Sequence, residues 1–426
     1  MDQEQPARPV AETIASFRAI NPDGKSPEEY QKIFKTVIQQ ISHRVATRKE
    51  RIHFAHMNTS AGAPPNDMSE FAQQLCLAIL PSFQHKLRFL PHVLNPSNMR
   101  SDMRSWFEGV LNHLFAMHQI LEEIDSSIIS IRKAWERDQD DKRNLRHLRK
   151  LKARKIMVFT EAILTGPFCD LLNTCNTFFN CSNLSTLSLF DSHFIHDEWD
   201  KLSRRSTLTV YHIDTLIHWS QKSMLNVAKE EWRERVEAIE ELLESLVECL
   251  HRIYLKNPKC SASESDQDIR SLSGPDHVKF SDDDHVKFFK DGVLIIKLCR
   301  IFFNKLGRIT NSQPVIWVEP STEMELDQLN QLLKVTSATR MYMYQYDDAL
   351  PYPTPIRRET VVHALNKLQM AMSDCHGALD KYCNSLLETN NPELDHELIA
   401  DGRLWLQSWD SSFRLVTEKA VNATGR

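Results

Sequence analysis

Glycine is scarce in this chain, with 10 residues in 426, where average usage of about 7% would give about 30. Glycine serves tight turns and close backbone approaches, so its scarcity argues against sheet-rich folds with many corners. Glycine-based signatures are missing too: there is no P-loop, no Gly-x-Ser-x-Gly elbow and no dinucleotide-binding turn. Cysteine never occurs as Cys-x-x-Cys, and the nine cysteines are odd in number and scattered. Cys169, Cys175 and Cys181 are spaced by six, which places them on different helix faces and makes a poor tetrahedral metal site. Reduced thiols of an intracellular protein are the expectation. No uninterrupted apolar run approaches the roughly 18 residues of a membrane span. The opening Met-Asp-Gln-Glu-Gln-Pro has neither the basic segment nor the apolar core of a secretory signal. A soluble cytoplasmic protein is expected, with the nucleus as the alternative. Its net charge of −5 argues against a nucleic-acid coat but leaves room for a local basic patch.

What the chain does have is helical periodicity. Phe107, Val110, Leu114, Met117, Leu121, Ile124, Ile128, Ile131 and Trp135 follow one another in alternating steps of three and four. That is the apolar stripe of one long helix buried against others, roughly 40 Å long at about 1.5 Å per residue. Trp232, Val236, Ile239, Leu243, Leu246, Leu250 and Ile253 repeat the rhythm. The sequence therefore predicts an all-α fold of two antiparallel helical bundles, each built round one seam.

Residues 1–25 read as disordered or loosely docked, 26–190 as an N-terminal bundle and 206–426 as a C-terminal bundle with a flexible acidic loop at 259–284. Ser26, Pro27 and Glu29 form a capping box. A helix from Ser69 is expected to kink or break at Pro81 and to end at Pro91 and Pro96, with Ser101 capping the seam helix. Another is expected to stop at Gly166-Pro167. One helix at 191–204 and a second at 206–220 follow, and then Ser223 or Asn226 caps the second seam. Further helices are expected at 285–306, 321–346 and 356–389, and a last one capped by Asn391. Asp276–Phe280 recurs as Asp284–Phe288, which reads as a local duplication in a tolerant loop.

Candidate chemistry is thin. Lys142, Arg143, Arg146, Arg149, Lys150, Lys152, Arg154 and Lys155 make a basic run without an acid, readable as an import signal, an anion-binding patch or a solvated helix face. Stacking aromatics are absent from it, so nucleic acid is not the expected partner. Glu230, Glu234, Glu237, Glu241, Glu244 and Glu248 make an acidic face on the second seam helix, with Glu231 and Glu240 beside it. It suits a basic partner protein or the basic run itself. Asp282-Asp283-Asp284 fails as a magnesium motif, because Val286 and Lys287 stand where a further acid is needed. His193 with His196, and His53 with His56, are pairs short of a site. The serines of the acidic loop, Ser261 to Ser281, could carry phosphate. No catalytic residue, cofactor or metal is expected.

The segments Ile213–Trp219, Ile295–Leu306, the Trp232 helix and the Trp405–Phe413 helix, with Ile120–Asp125 in the first half, resemble a large family of uncharacterised helical proteins of rust fungi. The order matches over residues 100–420, and the resemblance implies helical bundles and no assigned activity. More distantly, the two-bundle layout is similar to cyclin-D-interacting proteins of the talin and vinculin type. The reading is a non-enzymatic interaction or scaffold protein. The alternatives are a helical enzyme with a pocket of scattered residues, or a nuclear factor using the basic helix 142–155.

Overall fold

The computed structural model describes residues 9–20, 25–48, 50–52, 68–99, 102–137, 147–181, 192–256, 282–308, 324–349, 355–388 and 394–424. Among them there is no strand, and the fold is all-α. Two compact units divide it: Met1–Arg143 with Arg149–Lys222, and Asn144–Leu148 with Ser223–Arg426.

The first unit opens with α1 (Val10–Ala19) and α2 (Pro27–Ala46). The expected disorder of residues 1–25 gives way over Val10–Ala19, where Val10 and Ile14 are buried and Phe17 meets the Tyr30 ring edge-on at 5.2 Å. Ser26 and Glu29 form the reciprocal capping box that the sequence announces. Then come α3 (Met68–Gln74), a π turn at Leu75–Ile79, α4 (Leu80–Val93) and the short α5 (Pro96–Met99). Next are the seam helix α6 (Met103–Arg137), α7 (His147–Ile163), a second π turn at Leu164–Phe168, α8 (Cys169–Cys181) and α9 (Ser192–Ser220). Every residue of the α6 seam is buried except Trp135, which is half-buried under the Arg154 guanidinium at 5.5 Å. Asp102 caps α6, its Oδ1 accepting from Ser105 N at 3.0 Å, so the cap lies one residue beyond the expected Ser101.

Prolines run inside these helices where breaks are expected. Proline removes a donor and crowds the carbonyl four residues back, and two devices absorb this. The π turns before Pro81 and around Pro167 widen the helix by one residue, as Leu80 N donating to Leu75 O shows. The path therefore passes Pro81 without breaking and Gly166-Pro167 without stopping. At Pro91 the second device operates. Pro91 cannot donate to Leu87 O, and Ser206 Oγ of α9 donates there instead at 2.6 Å. The Pro91 carbonyl, in the last turn, takes the Trp199 Nε1 proton at 2.8 Å, and α4 runs on to Val93 rather than ending at Pro91. Thr209 Oγ1 likewise reaches Pro167 O at 3.2 Å. Leu87 with Ser206 and Pro91 with Trp199 run in opposite order, so α4 and α9 are antiparallel. Because α9 supplies these bonds, it is one unbroken helix through Ser206. The boundary between units accordingly falls at Lys222/Ser223, not in the expected interval 190–206.

The second unit comprises α10 (Met224–Lys256), α11 (Asp282–Gly307), α12 (Leu326–Ala349), α13 (Pro355–Glu388) and α14 (His396–Thr424). Ser223 caps α10, accepting from Asn226 N at 3.3 Å. The seam from Trp232 to Leu246 is buried and Leu250 half-buried. Asp282–Asp284 belong to α11 rather than to a loop, and α12 starts at Leu326, five residues after the expected 321. Helix α14 is capped by Asp395, which accepts from Leu398 N at 3.0 Å, and not by Asn391. Its buried line is Ile399, Leu406, Trp409, Phe413 and Ala420, while Leu398, Trp405 and Val416 are half-buried on its flank. Arg403 with Asp380 at 2.7 Å and Arg414 with Ser373 at 2.9 Å set α13 and α14 antiparallel. Trp409 Nε1 to Leu298 O at 3.0 Å and Lys419 to buried Asp291 at 3.2 Å do the same for α11 and α14.

Candidate functional site

The acidic face of α10 is a regular stripe. Glu230, Glu234, Glu237, Glu241, Glu244 and Glu248 follow in steps of four and three, two residues out of phase with the seam Trp232–Leu246. Two residues are about 200° of helix rotation, so the stripe lies opposite the buried seam. Glu230 is half-buried and the other five are exposed. Arg233 lies 3.6 Å from Glu230 and Arg252 lies 3.9 Å from Glu248. Of the flanking acids, Glu231 pairs with buried Arg235 at 3.3 Å and Glu240 with Arg300 at 3.6 Å. Among the described residues Glu237, Glu241 and Glu244 have no ion pair or hydrogen bond. The centre of the stripe is thus the uncompensated part.

The basic run divides. Lys142, Arg143 and Arg146 lie outside the described residues, whereas Arg149, Lys150, Lys152, Arg154 and Lys155 are on α7. Arg149 and Arg154 are exposed and the three lysines half-buried. Lys152 Nζ donates to Lys222 O at 2.9 Å, at the C-terminal end of α9, where the helix dipole favours a cation. Burial lowers the pKa of that ammonium. Arg154 covers the Trp135 ring. Lys152 and Arg154 thus make contacts within the first unit.

A cluster missed in the sequence joins the C-terminal end of α2, and the residues just after it, to α6. Asp125 is mostly buried and takes Arg44 at 2.8 Å, Arg48 at 2.5 Å and Arg51 at 2.8 Å. Arg44 also reaches Glu122 at 3.0 Å and lies 3.2 Å from His118 Nε2. Arg48 is 3% exposed, and burial lowers its pKa against the pull of Asp125. Burial first, then Arg44, lowers that of His118. Arg44 is on α2 and Arg48 and Arg51 follow just after its cap at Thr47, while 118, 122 and 125 share one face of α6, and that matched spacing of 118, 122 and 125 was the available signal.

A second missed feature is a cleft of about 330 Å³ between α4 and α9, lined by Arg88, Pro91, His92, Trp199, Ser203, Ser206, Thr207 and Val210. Its floor is the proline-compensating pair of bonds described above. A further cleft of about 450 Å³ runs along α6, bordered by the first π turn through Ile79 and lined by Gln74, Gln119, Glu122 and Ser126 among others.

No group of three or more His, Cys, Asp or Glu that could hold a metal occurs among the described residues. His196 is exposed. His53, His56, the loop serines and the first copy of the duplicated pentapeptide lie outside the described residues, as does the side chain of His193. Among the described residues, the cysteines are free thiols. Burial pushes Cys76 and Cys383 up to about 11 and Cys175 up to about 12, so none of these three is poised as a nucleophile. One helical stretch, His147–Asn180, is long and apolar enough to cross a membrane by length and composition alone, and 39% of its most apolar window is buried inside the protein. In the sequence its two halves meet at Gly166-Pro167, where a helix end is expected.

Both halves match family models. Residues 68–221 match a domain of unknown function (DUF8723), and residues 223–422 match another domain of unknown function (DUF8721). Their junction coincides with the structural boundary at Lys222/Ser223. No curated protein and no solved structure matches the chain.

Proposed function

We propose that the protein is a non-enzymatic interaction scaffold of the cell interior whose partner lays a basic helix or segment along the α10 stripe. The observation that carries this reading is the exposed, uncompensated run Glu237, Glu241 and Glu244 at the centre of the stripe. A partner with Lys or Arg at steps of three and four would meet these carboxylates in register, and such charge matching raises on-rates and selects partners. The cytoplasm is the proposed compartment, in keeping with the buried free thiols. The fungal family relationship is proposed alongside it, on the segments Ile213–Trp219 and Ile295–Leu306.

The test is affinity capture from the native cell with wild type, with Glu237→Lys/Glu241→Lys/Glu244→Lys, and with Glu359→Lys/Glu397→Lys/Glu418→Lys. The last two carry equal net charge. The reading expects a partner with a basic segment that the first triple loses and the second keeps. Equal retention by both triples would remove the stripe from the account.

A further inference from the structure

The cleft between α4 and α9 combines groups that belong to one ligand chemistry. On one wall Arg88 and His92 stand one helical turn apart on α4, both exposed. On the other stand Ser203 and Thr207, again one turn apart, on α9. Between them the half-exposed Trp199 indole is fixed by its bond to the Pro91 carbonyl, so its ring is presented in one orientation without further ordering. Val210 and Pro91 supply apolar lining. Among the described residues, the Arg88 guanidinium, the His92 ring and the Ser203 hydroxyl have no hydrogen bond or ion pair within the protein. Thr207 Oγ1 donates to Ser203 O at 2.9 Å, a local helix bond that it can exchange.

We propose that this cleft binds a small ligand in which an oxyanion is attached to a planar ring. The oxyanion meets the Arg88 guanidinium, with its fork of donors, the His92 ring and the Ser203 hydroxyl, while the ring lies against Trp199. A volume of about 330 Å³ is at the small end of ligand pockets, which favours a molecule the size of an aryl phosphate or a nucleoside monophosphate over a peptide. Two hydrogen bonds tie the walls of the pocket together. Pro91 cannot donate to the Leu87 carbonyl, which Ser206 takes instead, and Trp199 takes the Pro91 carbonyl in the last turn of α4; the recess lies beside these two bonds. This inference is independent of the α10 stripe.

Calorimetric titration of the full chain with phenyl phosphate, AMP, inorganic phosphate and phenol tests it. At least one ring phosphate should bind, and inorganic phosphate and phenol should each bind at least tenfold more weakly. Arg88→Met should weaken binding tenfold or more at unchanged melting temperature, since Arg88 is exposed. Val210→Trp, which fills the recess, should abolish it. The proposal is overturned if neither ring phosphate binds at millimolar concentration, if inorganic phosphate binds as tightly, or if binding survives either substitution unchanged.

Discussion

The two units solve helix packing differently. The first runs its helices through Pro81, Pro91 and Pro167 and repairs each interruption with a π turn or with a donor from α9. It also sinks a three-arginine cluster against Asp125. Among the described residues the helices of the second unit carry no π turn, and its polar bonds join regular faces: Trp232 Nε1 to Thr336 Oγ1 at 3.0 Å and Trp409 Nε1 to Leu298 O. Irregular helices leave recesses where side chains are called to the backbone, and regular ones leave stripes. The cleft and the acidic stripe are those two consequences, one in each unit.

The contrast can be broken most severely at Asp125. Asp125→Asn leaves three buried or half-buried guanidiniums without their carboxylate, and removing one partner of a buried ion pair costs about 3–5 kcal/mol. Urea denaturation followed by hydrogen exchange should show α2 and α6 losing protection while α10 keeps it. Loss shared equally by both units would contradict the division of labour.

Acid should separate the units next. Burial lowers the His113 pKa to about 4 from 6.5, and His118 is shifted in the same direction. Between those pH values the unfolded chain binds more protons than the folded one. Stability is therefore full above about pH 6.5 and falls as pH drops towards 4, by about 3 kcal/mol for His113. Denaturant midpoints at pH 7 and pH 5 read this, and His113→Gln should flatten the slope.

Smaller effects sharpen the picture. Ser206→Ala leaves the Leu87 carbonyl without the donor that Pro91 cannot give, a loss of about 1–3 kcal/mol. Trp199 fluorescence, isolated by difference against Trp199→Phe, should shift with it. In the second unit Gly292→Ala would place a Cβ 3.0 Å from Tyr346 Cε1 and Oη, and Tyr346 is fully buried. Overpacking of about 1–3 kcal/mol outweighs the helix-propensity gain of about 1 kcal/mol. Gly377→Ala, with nothing within 4 Å, should instead gain about 0.5–1 kcal/mol. Thermal melts of the pair decide the sign.

Both seams were legible because burial imposes a period that the sequence must carry. The Ser26 capping box was legible because its partners are three residues apart. What proline does inside a helix was not legible, since the donor that rescues Leu87 O is 119 residues away. The unit boundary was misplaced for the same reason: Ser206 looked like a helix start, and it is an interior residue committed to a distant backbone. The stripe was visible as composition, and its regular placement opposite the seam is periodicity again. The cleft had no sequence signal, because Arg88 and Ser203 are ordinary surface residues until α4 and α9 are laid antiparallel.

The central claim is that a basic partner lies along α10. Zero-length carbodiimide cross-linking of the captured complex, read by mass spectrometry, tests it by joining carboxylates only to lysines in direct contact. The account predicts adducts between partner lysines and Glu237, Glu241 or Glu244. Adducts confined to other acids, with those three unmodified in a complex that remains intact, would contradict it.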